Sequence, residues 1–94
     1  MATMTITASL TRDVYLGWVP IDKGLVTVRY PGNEPKYIFL HQEDRYEKSK
    51  FIRDSFQKKQ EEINKAEQEG YSASAGPISD FLNGNIDTLV MLKK

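Results

Sequence analysis

The chain has 94 residues, enough for one hydrophobic core and too few for two. Thirteen basic side chains balance thirteen acidic ones. The basic excess of a general nucleic-acid or anionic-membrane binder is therefore missing, which argues against both partners. Cysteine is absent, so disulfides and thiolate metal sites are excluded. No run approaches the roughly 18 apolar residues that span a bilayer. The start of the chain also lacks the basic and apolar blocks of a signal peptide. The expectation is one soluble, cytoplasmic domain over residues 1–94.

From Thr3 to Leu10 the chain alternates strictly. Met4, Ile6, Ala8 and Leu10 fall on one side, Thr3, Thr5, Thr7 and Ser9 on the other. Period two with β-branched residues predicts a half-buried strand. Thr11-Arg12-Asp13 then reads as a polar turn, Val14–Val19 as a second strand closed by Pro20, and Asp22-Lys23-Gly24 as the next turn. Leu25–Tyr30 and Lys36–Leu40 follow as a third and a fourth strand around the turn-rich Pro31–Pro35.

The period then switches. Asp44 and Glu47 have the spacing of a capping box, and Arg45–Glu69 contains neither Gly nor Pro before Gly70 in the C′ position. This predicts a helix of about 37 Å. Its apolar stripe reads as Ile52, Phe56, Ile63 and Ala66, interrupted by Lys59. Tyr71–Pro77 is a small-residue loop, Pro77–Asn83 a short helix ended by Gly84, and Ile86–Leu92 an interior strand. The fold class is thus α+β: a mostly antiparallel sheet of about five short strands, β-β-β-β-α-β, with one long helix (about 45–69) on one face.

Alternation sorts the strand residues into two apolar sets. Met4, Ile6, Leu10, Val14, Leu16, Trp18, Val26, Val28, Ile38, Leu40, Ile86, Val90 and Leu92 form the set expected under the helix. Tyr15, Val19, Leu25, Tyr37, Phe39, Leu89 and Met91 form the other, with only residues 71–85 left to cover it. An uncovered apolar face marks an interaction surface. The helix also looks longer than strands of about 17–24 Å. Glu67 and Glu69 oppose its dipole at the C-terminal end, so a second subunit or partner is expected to hold that end.

Motifs for chemistry are sparse. The lone His41, followed by Gln42, Glu43 and Asp44, offers ligand types, but adjacent residues rarely converge on one ion. Nucleophile-elbow and zinc-hydrolase motifs are absent. No catalytic residue, metal or cofactor is assigned.

The reading is a non-enzymatic binding module that self-associates, a dimer first, and acts by occupying a partner protein, regulating or inhibiting it. Tyr15, Trp18, Tyr37 and Phe39 are its apolar anchors, and Arg45 and Arg53 its polar contacts. The alternative is a binder that sequesters a small anionic ligand or nucleotide at a subunit boundary. Its candidate residues are Lys48 and Lys58 of the basic helix and Ser74 and Ser79 of the following loop and short helix.

Overall fold

A computed structural model of the chain describes residues 1–15 and 17–94, with Tyr15 described in its main chain alone. Four strands and two helices follow in the order β1 (Ala2–Tyr15), β2 (Val19–Arg29), β3 (Lys36–Glu43), α1 (Lys48–Gln68), α2 (Ala75–Leu82) and β4 (Thr88–Lys93). The sheet is antiparallel, with strand order β3-β2-β1-β4. The α+β class is as expected. The strand count is not, because the first two expected strands are one.

Thr11-Arg12-Asp13 makes no turn. Those residues pair directly with Lys23, Asp22 and Ile21, and their charges are satisfied across the ladder. Arg12 Nε lies 2.9 Å from Asp22, and Lys23 Nζ lies 2.7 Å from Asp13. The chain reverses instead around Gly17, whose φ of 80° is open to glycine without strain. Pro20 is tolerated inside β2 because β3 begins to pair only at Asp22, so no neighbour needs the missing N–H. The expected strand Val14–Val19 includes Leu16, which lies outside the described residues.

The core lies on one side of the sheet. Met4, Ile6 and Ala8 meet Val26, Val28, Leu89 and Met91 on the inner face, under Phe51, Ile63 and Ala66 of α1 and Phe81 of α2. The phase of β4 is reversed from the expected one. Leu89 and Met91 are buried, whereas Val90 and Leu92 face out. Ile86 precedes the strand and does not set its phase, and Leu89–Leu92, apolar at all four positions, carry no register of their own. β4 is also an edge strand, not an interior one. Ser72 covers part of that edge with two main-chain hydrogen bonds to Leu92 of 2.8 and 2.9 Å.

The helix starts later than expected. Asp44 caps nothing: Glu47 is the N-cap and uses no side-chain bond, while the Tyr46 N–H donates to Asp22 Oδ2 at 3.2 Å. Gly70 does take the C′ role, with φ 95°. At 21 residues α1 is about 31 Å long. β1, at 14 residues, runs to about 46 Å. The overhang is therefore the reverse of the expected one, since the sheet outruns the helix. The far end of α1 is held within the chain, with Ala66 buried and Tyr71 packed edge-on against Tyr30 at 5.7 Å.

The buried stripe of α1 is Phe51, Ser55, Lys59, Glu62, Ile63 and Ala66. It keeps Lys59, Ile63 and Ala66 of the expected stripe, adds Phe51, Ser55 and Glu62, and leaves Phe56 facing out. Lys59 is 1% exposed. Its ammonium donates to the Phe81 carbonyl at 2.8 Å and sits 4.8 Å from the Phe81 ring centroid, closing the C-terminal end of α2. Glu62, also buried, lies 3.3 Å from Lys36 of β3 and 3.6 Å from Lys65. These polar contacts dock the helical layer where a continuous apolar stripe is missing.

Two stability predictions follow from this packing. Burial pulls the Lys59 ammonium below its ordinary 10.5, partly offset by Asp87. A depressed lysine disfavours the folded state until it loses its proton. Urea stability should therefore rise as pH climbs through the depressed value towards 10.5, and Lys59→Met should lack that rise. Above pH 10 the half-buried Tyr30, pushed up to about 12 chiefly by burial, works the other way. Lys59→Ala should cost about 2–4 kcal/mol by leaving a void and an unpaired carbonyl. Equal pH slopes in wild type and Lys59→Met would discard the assignment. At Gly24, an added Cβ would meet Tyr46 at 2.9 Å and Phe51 at 3.0 Å. Gly24→Ala should cost about 1–3 kcal/mol in the same measurement.

Candidate interaction surface

Both helices pack on the inner face, which leaves the other face of the sheet open. The register builds that outer face row by row. Thr7 stands between Thr27 and Thr88, and Thr27 is followed by Tyr37 of β3. Ser9 pairs with Leu25, which pairs with Phe39. Thr5 pairs with Val90, and Thr3 with Leu92. Tyr37 is 57% and Phe39 60% exposed, and Val90 and Leu92 are exposed as well. A hydroxyl-rich centre, with Thr7 Oγ1 3.1 Å from Thr88 Oγ1, is thus flanked by apolar side chains along both edges. Residues 71–85, the expected cover, lie elsewhere: α2 packs on α1 and β4, with Phe81 in the core.

A second feature is an arm. β4 pairs only as far as Thr7, and β3 only as far as Asp22. The pairs Asp13↔Ile21, Val14↔Pro20 and Tyr15↔Val19 therefore form a two-stranded ribbon without a third strand. This gives the molecule its 47 Å long axis against 27 and 16 Å. Trp18 at the tip is 77% exposed, and Val14 and Pro20 face solvent as a cross-strand pair. Asp22 anchors the base of the arm. It takes the Arg12 guanidinium and the Tyr46 N–H together, and these bonds hold its carboxyl below the usual range.

At the start of α1 lies a polar knot. His41 Nε2 is 3.5 Å from Asp54, which accepts the Tyr46 hydroxyl at 2.8 Å. Glu43 is bound by Lys50 at 2.9 Å. The buried Tyr46 hydroxyl is pushed well above its ordinary value, by burial first and by Asp54 second. Asp54 is held low by the same bond. A histidine–carboxylate pair is the part of a general-base arrangement that orients the imidazole. Here the carboxylate is engaged in fastening the Asp44–Glu47 connection to the helix. Among the described residues no three ligand-type side chains converge as an ion site needs.

The sequence-predicted residues separate into groups. Tyr37 and Phe39 share the outer face. Trp18 tips the arm, and Arg45 lies beside its base, lining a shallow 370 Å³ depression with Arg12, Val19 and Pro20. Arg53 is on the helical layer, 3.7 Å from Asp54. The Tyr15 side chain lies outside the described residues. The four ligand-binding candidates are not brought together. Lys48 and Lys58 are about 15 Å apart along α1, and Lys58 pairs with Glu61 at 3.4 Å. Ser79 accepts from Asn83 at 3.4 Å, and Ser74 lines a separate groove. That groove, about 640 Å³, runs between the 70–77 segment and the outer residues Val90 and Leu92. Val90 and Leu92 were missed as surface residues because only cross-strand register distinguishes them from Leu89 and Met91.

No family model matches the chain, and no curated protein or solved structure matches it at a significant level. No helix among the described residues is long and apolar enough to cross a membrane.

The depressed Asp22 carboxyl implies an acid dependence at the arm base. Its contribution is full above the ordinary value of 3.8 and is lost as pH falls through the lower folded value. Thermal melts below about pH 4 should fall less steeply in Asp22→Asn than in the wild type. An identical acid limb in the two proteins would mean that the Arg12 and Tyr46 contacts add nothing to stability.

Proposed function

We propose that the chain is a non-enzymatic binding module which self-associates through the outer sheet face and acts by occupying a partner protein. A cytoplasmic location accompanies this reading. One observation carries it: Tyr37, Phe39, Val90 and Leu92 stand exposed, beside the half-buried Leu25, on the sheet face opposite both helices. A contiguous apolar patch of this kind is uncommon on a molecule that remains alone.

Magnitudes bound the association. Burying the exposed halves of these side chains from two copies is worth on the order of 10 kcal/mol. Ordering two bodies costs about 4–15 kcal/mol. The face by itself therefore supports a weak dimer, in exchange with monomer over a concentration series.

Light scattering over such a series checks the proposal. The wild type should move from monomer to dimer mass. Phe39→Asp should stay monomeric, with its thermal midpoint within a few degrees of wild type, because Phe39 packs mainly against solvent. A dimer unaffected by Phe39→Asp would take that residue out of the interface. A wild type that remains monomeric at every concentration would overturn self-association itself.

A further inference from the structure

We propose that the β1–β2 arm is the second half of the self-interface, each copy inserting Trp18 into the groove between the 70–77 segment and β4 of the other. This rests on the self-association reading above and assigns what that reading leaves open.

The argument begins with area. Across the Thr5–Arg12 rows, where three or four strands run together, the outer face is about 15 Å wide on average and about 27 Å long. That is roughly 400 Å² per copy, about half of what a stable interface contributes from each partner. The missing area has to come from a surface continuous with the face. Two are available, and they lie at opposite ends of the molecule. The groove sits level with Thr3, the partner of Leu92, and the arm tip lies beyond Tyr15, the partner of Val19. Twelve residues of β1 separate these levels, about 40 Å, close to the full 47 Å axis.

Position then selects the occupant. A two-fold axis that brings each tip onto the other copy's groove must cross β1 midway between Thr3 and Tyr15, at Ser9. The Ser9 row is the one that carries Leu25 and Phe39. The same axis that places Phe39 against its symmetry mate therefore delivers both arm tips to both grooves. The contact is closed and isologous, as most homodimers are. Chemistry agrees. The groove has about 640 Å³ and is lined by Val90, Leu92, Ala73 and Pro77 together with Ser72, Ser74 and Lys94, which is ample for an indole. A two-stranded ribbon with an exposed apolar tip gains little stability alone, and tryptophan is the side chain most enriched among interface anchors.

Trp18 is the only tryptophan in the chain, so its fluorescence reports on the tip directly. Emission of the wild-type protein should shift to the blue over the concentration range where light scattering shows dimer forming. Trp18→Ala should weaken the dimer by about thirtyfold. Pro77→Arg, which blocks the groove without touching the sheet face, should weaken it similarly and abolish the blue shift. Mixing Trp18→Ala with Pro77→Arg should recover dimer at concentrations where neither forms one alone, because the mixed dimer restores one arm in one groove. A wild-type dimer with unshifted emission, or unaltered dimerisation in both variants, would sink the arm assignment while leaving self-association standing. Absence of any dimer would sink both.

Discussion

β1 and β2 pair along eleven residues, from Thr5↔Arg29 to Tyr15↔Val19, while their outer neighbours accompany them for only part of that length. Most of the molecule's shape follows from this inequality. Where three or four strands run together the sheet is wide enough to support two helices. Where only two remain, there is a ribbon with solvent on every side. At the base of the ribbon charges answer one another across the ladder, Arg12 to Asp22 and Lys23 to Asp13. Exposed ion pairs of this kind contribute little each, so they specify register more than they supply stability. Asp22 does more than its neighbours, because it also receives a main-chain N–H from the connection into α1 and ties the arm to the helical layer.

The helical layer is held by an unusual set of contacts for so small a core. α1 presents Ser55, Lys59 and Glu62 inward together with its apolar residues, and each finds a partner: Ser55 the Ile52 carbonyl, Lys59 the Phe81 carbonyl, Glu62 two lysines. Buried polar groups cost free energy unless they are satisfied, and they define one arrangement when they are. Lys59 fixes where α2 ends, and α2 brings Phe81 into the core. The segment after α1 is thereby committed to the inner side of the sheet. The outer face is left without cover for a definite reason: the only remaining element is tied down elsewhere.

That asymmetry leaves the sheet with two unlike faces. One face is closed by apolar packing and satisfied polar contacts; the other carries threonine hydroxyls in the middle and Tyr37, Phe39, Val90 and Leu92 along its margins. The polar knot of His41, Tyr46 and Asp54 belongs to the closed side and spends its bonds on the turn into α1. The open side and the arm carry exposed apolar side chains, Tyr37, Phe39, Val90 and Leu92 on the one and Val14 and Trp18 on the other.

Much of this architecture was legible in the residues. Strict alternation from Thr3 to Leu10 fixes which side of β1 is buried, because a strand's side chains can only alternate. The helix-forming run before Gly70 fixes the long helix, and the absence of cysteine and of any apolar run long enough for a bilayer bounds the chemistry. Tyr37 and Phe39 were placed correctly on the uncovered face by the same alternation. Other features had no local signal. Polar Thr11–Asp13 is compatible with a turn or a strand, and only the facing Asp22 and Lys23 choose the strand. Leu89–Leu92 is apolar at all four positions, so only the pairing of β4 with Thr3–Thr7 decides that Val90 and Leu92 face outward. A helix stripe containing lysine is ambiguous by one position, and the Phe81 carbonyl, 22 residues away, turns Lys59 inward. The sequence by itself determined the periodic elements and the composition of each face. Register, the burial of Lys59 and the length of the arm were decided by tertiary structure, because each depends on a partner distant along the chain.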